Sequence, residues 1–223
     1  MDTATAKRLA YRALETARVR GASYADIRII LTRTESIRTE NGVVAGLTDD
    51  ETLGFGIRVI AGGSWGFASS NRITSGAIDE AAALAVKIAQ AASTVNQRQI
   101  KLAAEPVYEK TWKTPIVKDP FQVGWDEKIK LLLDVDHILR KKPEIVLASG
   151  KLEFTREHQW MATSEGSFIE QVFYRSGGGV TAVAAGNGET QTRSYPSAHG
   201  GNYRSQGYEY IEALELVENA ARV

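Results

Sequence analysis

Cysteine is absent from this chain, which excludes a disulfide framework and any thiolate metal site and fits a reducing compartment. Excess charge of either sign is absent too: 27 Lys and Arg balance 27 Asp and Glu. Nucleic-acid and anionic-membrane binders depend on a concentrated positive field, so this balance disfavours both. No stretch reaches the ~18 consecutive apolar residues of a spanning helix. The opening MDTATAKRLAYRALETARVRG lacks the apolar centre of a signal peptide. These absences predict a soluble, cytoplasmic protein. Its 223 residues give ample length to bury a core, as one large domain or two small ones.

Familiar catalytic signatures are missing as well. His137, His158 and His199 are the three histidines, widely spaced, and there is no H-E-x-x-H, no G-x-x-x-x-G-K-[ST] and no G-x-S-x-G. His137, beside Asp134 and Asp136, reads as part of a solvated helix face. Glu157 and His158 are strand neighbours and point to opposite faces, so they cannot share a ligand. The Gly62-Gly63-Ser64-Trp65-Gly66 stretch lies between two strands, whereas a phosphate cradle needs a helix N-terminus. Ser164-Glu165-Gly166 reads as a β-turn, with no histidine linked to it in sequence. Taken alone, the residues define no active site.

What is present is a clear alternation of elements. Ala6, Leu9, Ala10, Ala13, Leu14 and Ala17 mark one face of a helix over 3–20 that stops at Gly21. Ile27, Ile29 and Leu31 alternate with polar residues as in a half-buried strand, and Asn41-Gly42 suits a tight hairpin turn. Runs at 43–47 and 52–61 continue the sheet. An Ala-rich helix is predicted over 75–95, a Pro-containing crossover over 96–124 with a short strand near 107–112, and a third helix over 126–140 with Ile129, Leu132, Leu133 and Leu139 inward. Strands follow from 144 to 195, with turns at 164–166 and Asn187-Gly188 and with three glycines, 177–179, standing before VTAVAAG. A single last helix spans YEYIEALELVENAARV. Hairpins without regular βαβ alternation give an α+β class: antiparallel hairpins and meanders covered by about four helices in two layers. The predicted organisation is two helix-plus-meander halves, about 1–95 and 125–223.

The stretch GFGIRVIAGGSWGFASSN at 54–71 carries five glycines in what reads as a two-strand hairpin, although glycine weakens strand interiors. With Gly62-Gly63 as the turn, Val59 faces Gly66, Ile57 faces Ala68, Arg58 faces Phe67 and Gly56 faces Ser69. Large residues oppose small ones. Gly66 and Ala68 then either make room for Val59 and Ile57 or let the Ala-rich helix approach closely. The functional reading is that bare backbone at Gly54, Gly56 and Gly66 admits a peptide or partner strand. Arg58 reads either as a partner of the Phe67 ring or as a charge aimed at a substrate carboxylate.

The G-x-G-x-R-V…G-x-W-G-F-A-x-x-N pattern of 54–71 resembles the signature of the TldD/PmbA family, once labelled modulators of DNA gyrase. GASYADIRI at 21–29 and ATSEGSFIEQ at 162–171 resemble it too, and the Trp-Gly-Phe-Ala form is closer to the TldD side. The resemblance covers the chain as that family's N-terminal part. It implies a zinc-dependent peptidase acting on unfolded or short peptides, working with a TldE/PmbA-like subunit or with itself, without nucleic acid or membrane. The family's H-E-x-x-x-H motif matches nothing here, so no catalytic or metal residue transfers, and the chain is expected to bind no zinc and to be inactive alone. The run into Val223 carries the expectation that a C-terminal half has been left off. Candidate peptide or partner contacts are Gly54, Gly56, Arg58, Trp65, Gly66, Phe67, Ser164, Glu165 and Gly166. The rival readings are a stand-alone peptide-binding adaptor and a regulator associated with DNA gyrase.

Overall fold

The computed structural model describes residues 1–96 and 98–223, so Gln97, inside the expected crossover, lies outside the described residues. In chain order the elements are α1 (Thr3–Val19), β1 (Tyr24–Glu40), β2 (Val43–Ala61), β3 (Ser64–Ser70), α2 (Ser75–Ser93) and β4 (Glu109–Lys113), then a 3₁₀ turn (Pro120–Gln122) and α3 (Trp125–Leu139). They continue with β5 (Ile145–Thr163), β6 (Phe168–Gly186), β7 (Glu189–Tyr195), β8 (Asn202–Arg204), α4 (Glu209–Glu212) and α5 (Leu216–Ala220). The strands pair in the order β3-β2-β1-β5-β6-β4, and β7 and β8 also pair with β6. The class is α+β, as the hairpin-rich pattern predicts. Among the described residues no helix is long and apolar enough to cross a membrane.

The residues form two compact units. The first comprises Met1–Thr32, Thr52–Trp112 and Glu157–Val172; the second comprises Arg33–Glu51, Lys113–Arg156 and Phe173–Val223.

The first unit has one apolar core between helices and sheet. Ala6, Ala10, Ala13 and Ala17 of α1 and Ala82, Ala85 and Ala89 of α2 meet Ile27, Ile29, Ile57, Val59 and Trp160 from the strands. The helices begin where side chains satisfy their free N–H groups: Asp2 accepts from Thr5 N (2.8 Å) and Thr74 from Ala77 N (3.2 Å). Arg12 of α1 pairs with Asp79 of α2. The hairpin registers as its turn demands, with Val59 opposite Gly66 and Ile57 opposite Ala68. Gly62 and Gly63 both have positive φ, +58° and +75°, which glycine adopts without strain. Gly66 answers to a different constraint. A Cβ there would lie 2.0 Å from the Ala85 carbonyl oxygen and 2.7 Å from the Ala89 nitrogen, so the backbone of α2 rests on β3. Of the two packing readings, helix approach is the one observed.

In the second unit α3 departs from the simple apolar stripe. Its buried residues are Lys128, Leu132, Val135, Asp136 and Leu139, while Ile129 and Leu133 are only half-buried. The Lys128 ammonium, 0 % exposed, pairs with Glu35, itself held by Arg33 at 2.8 Å, and sits 4.7 Å from the Phe154 ring centre. Asp136 accepts from the Gly42 N–H of the β1–β2 turn (2.9 Å) and is buried, so its place on a solvated face is corrected.

Three further expectations change. β2 is continuous through 43–61 because Asp49 stays in the strand and pairs with Arg33 at 3.0 Å. Gly177, Gly178 and Gly179 lie inside β6 instead of before a new strand: their missing side chains make room for the Tyr203 ring, the Lys151 carbonyl and the Gly201 backbone. The last helix is broken into α4 and α5 at Glu215, whose φ is +47°. An unbroken helix would turn Leu214 and Leu216 to different sides; the break buries both, and the Leu214 carbonyl accepts from the Tyr195 hydroxyl at 3.0 Å.

Two substitutions test these contacts. Gly66→Ala is expected to lower stability by at least about 1–3 kcal/mol because backbone cannot give way, and adding Val59→Gly is expected not to restore it in urea denaturation. Lys128→Met leaves Glu35 buried with Arg33 as its remaining partner. A loss of about 3 kcal/mol is expected, most of it recovered when Glu35→Leu is added.

Candidate functional site

On the sheet face opposite α1 and α2, the first unit carries a groove of ≈ 560 Å³. Strand alternation places Asp26, Arg28 and Ile30 of β1 there because Ile27 and Ile29 fill the helix side. Gly54, Gly56 and Arg58 of β2 supply its middle, and Phe67 and Ser69 of β3 its far wall. β3 ends the strand order, so one of its edges has no strand partner among the described residues.

Electrostatics centre on Asp26, which is 1 % exposed. Arg58 Nε lies 3.1 and 3.0 Å from its two oxygens and Nη2 lies 2.9 Å from Oδ2, a bidentate fork. Burial first, then the charge of the nearby Asp26 carboxylate, pushes the Tyr24 phenol up to about 12. The hydrogen bond to Asp26 raises Arg58 above the usual guanidinium value despite partial burial. Arg58 therefore faces Phe67 in register but sends its charge elsewhere: to Asp26, with its guanidinium 5.5 Å from the Trp65 ring centre. Trp65 stands edge-on to Tyr24 at 5.9 Å.

The candidate residues divide by position. Gly54, Gly56, Arg58 and Phe67 line the groove, and Trp65, 38 % exposed, lies beside it in a second hollow shared with Arg58, Gly66, Phe67 and Ile88. At Gly56 a Cβ would come within 2.9 Å of the Phe67 ring, so that glycine seats the ring. Gly66 serves the α2 contact. Gly54 differs: its φ is not in the left-handed region, and an added Cβ would meet nothing nearer than the Ser70 oxygen at 3.5 Å, an ordinary contact. Ser164, Glu165 and Gly166 are not groove residues. Ser164 closes the end of the β1–β5 pairing, its N–H donating to Ala25 O (2.8 Å) and its Oγ accepting from Ala25 N (3.0 Å), and Gly166 has the turn's positive φ. Asp26 and Arg28 belong to no motif; their signal in the sequence is the polar phase of ADIRI, opposite the isoleucines.

His158 belongs to another network. It lies 2.8 Å from Glu170, which also accepts from Thr3 (2.7 Å), while Trp160 Nε1 donates to Thr3 at 3.2 Å. Burial raises the Glu170 carboxyl, but the bonds from Thr3 and His158 outweigh it and hold it below its usual value. The carboxylate engages both Thr3 and His158, so the imidazole does not face the hydroxyl as a base would; the cluster ties the start of α1 to β5 and β6. Among the described residues no three His, Cys, Asp or Glu converge to hold a metal. The residues present therefore do not fit a metal centre, and no chemical step follows from them.

The Asp26–Arg58 pair is asymmetric, since Arg58 reaches water and Asp26 does not. Asp26→Asn is expected to cost about 1 kcal/mol. Arg58→Met strands the buried carboxylate and is expected to cost about 3 kcal/mol, a difference that chemical denaturation of the two variants resolves.

Comparison with known proteins agrees with this architecture. Residues 25–89 match the model of PmbA/TldA metallopeptidase domain 1, and residues 118–223 match that of the PmbA/TldA metallopeptidase central domain. A metalloprotease of Methanocaldococcus jannaschii is 26 % identical over 207 residues, covering 90 % of this chain and 44 % of the relative. One of Methanothermobacter thermautotrophicus is 28 % identical over 199 residues, covering 89 % and 41 %. The chain thus spans less than half the length of these relatives. Among solved structures, a putative modulator of DNA gyrase from Bacteroides thetaiotaomicron superposes with a TM-score of 0.73 at 16 % identity, over 93 % of this chain and 49 % of its own. TldE from Thermococcus kodakarensis gives 0.65 at 15 %, over 98 % and 46 %; these likenesses speak to fold. With both domain models matched along the chain, the protein belongs to the PmbA/TldD metallopeptidase family.

Proposed function

We propose that this chain is the non-catalytic, substrate-enclosing part of a TldD-like peptidase, and that the groove over β1, β2 and β3 receives an extended segment of an unfolded or short peptide. The observation that carries the reading is Gly54. Neither its backbone angle nor any packed neighbour requires glycine there, yet it costs the strand stability relative to alanine. Leaving the groove floor bare accounts for it. Close main-chain approach is what peptide recognition by a sheet needs, and the free edge of β3 lies along the same wall.

In this reading the peptidase chemistry, with zinc as its metal, belongs to the H-E-x-x-x-H motif that the resemblance implies and that this sequence does not contain. A TldE/PmbA-like subunit or a second copy completes the enclosure, in a cytoplasmic setting. The solved TldE neighbour and the relatives' name of metalloprotease support this part of the reading.

Gly54→Val tests it. The melting midpoint is expected to hold, because the new Cβ has room, while anisotropy with a short fluorescent unstructured peptide is expected to show at least about tenfold weaker binding, the worth of one lost close contact. Gly54→Ala is expected to stabilise by about 0.5–1 kcal/mol while weakening binding less. Undiminished peptide binding by Gly54→Val would overturn the reading.

A further inference from the structure

The groove's hydrogen-bonding capacity is lopsided. Asp26 is the one acidic group among its lining residues, and both its oxygens are taken by Arg58. Arg28 also lines the groove and is exposed, and its guanidinium makes no ion pair or hydrogen bond to any described residue. Arg58 uses its Nε and Nη2 edge on Asp26, and its Nη1 donates to no described residue. A guanidinium carries five N–H donors and no acceptor. Three charged groups thus leave one net positive charge, one whole fork and part of another, with no carboxylate left over to answer them. Ile30, Leu53 and the half-exposed Phe67 ring (54 %) surround these donors with apolar surface.

We propose that the groove recognises a carboxylate carried on an apolar peptide, with Arg28 as the anchoring fork and Arg58 Nη1 as a second donor. This rests on the peptide reading above and adds to it a specificity-determining residue. The carboxylate is the peptide's own C-terminus or an acidic side chain. Either supplies the planar pair of acceptors that a guanidinium matches, and the apolar wall takes the residue next to it. Because Asp26 already orients Arg58, the second donor is held in place before the ligand arrives, which lowers the ordering cost of binding. A cationic peptide finds no free carboxylate among the lining residues and meets the net positive charge.

The test uses three fluorescent peptides of one apolar sequence: the free acid, the C-terminal amide, and the amide with one internal glutamate. Each is titrated by anisotropy into the wild-type chain, Arg28→Gln and Gly54→Val, with melting midpoints as a folding check; Arg28 is exposed, so Arg28→Gln is expected to fold normally. A carboxylate-bearing form is expected to bind about tenfold tighter than the plain amide, the worth of a charge-assisted fork. That advantage is expected to disappear in Arg28→Gln and to shrink as salt rises. The tighter of the two carboxylate forms identifies the source. Equal binding of all three peptides, or a preference that survives Arg28→Gln, overturns the proposal. If Gly54→Val still weakens every peptide, the groove keeps its role and only the carboxylate inference falls. If Gly54→Val weakens none, or nothing binds the wild type, the peptide reading falls with it.

Discussion

The closeness of the α2 backbone to β3 at Gly66 is the constraint on which the first unit depends. A helix whose Ala85 carbonyl would stand 2.0 Å from any Cβ at that position cannot ride on ordinary side chains. Alanine accordingly supplies five of its seven buried residues and four of the six in α1 beside it. Small residues bury less apolar area each, so much of the larger apolar volume in the core comes from the strands, through Ile27, Ile29, Ile57, Val59 and Trp160. Alternation then sends every other residue of β1, β2 and β3 to the opposite face. The groove residues are where they are because their neighbours are committed to the helices.

Buried charge is handled alike within each unit. In the first, Asp26 is out of water but held by an arginine fork. In the second, Lys128 is enclosed with Glu35 and faces the Trp125 and Phe154 rings. Such pairs contribute little net stability over apolar replacements, but removing one partner is costly. They fix which strand residues meet which helix or arginine, since a displaced register would strand a charge.

Much of this was legible in the residues. The hairpin pairing follows from Gly62-Gly63 and the flanking alternation, and the inward face of α1 from its spacing. Family membership was legible in 54–71, a stretch long enough to carry a pattern. What stayed hidden depends on partners remote in sequence. Lys128 and Asp136 look solvated until Glu35 and the Gly42 N–H come to meet them, 93 and 94 residues away. The break at Glu215 shows only once Leu214 and Leu216 must both be buried. Gly54 and Gly66 are the same letter doing different work, and only the space around each tells them apart. The groove's arginine was invisible for a related reason: a lone Arg28 means little until the charges beside it are seen to cancel without it.

The alanine faces of α1 and α2 also bear on how this protein changes over generations. A position holding leucine can drift to isoleucine, methionine or valine with modest repacking. One holding alanine against a neighbouring backbone has nowhere comparable to go, because serine brings a hydroxyl, glycine loosens the helix and everything else is larger. The helix side of the first unit is thus expected to accept few substitutions without loss of stability.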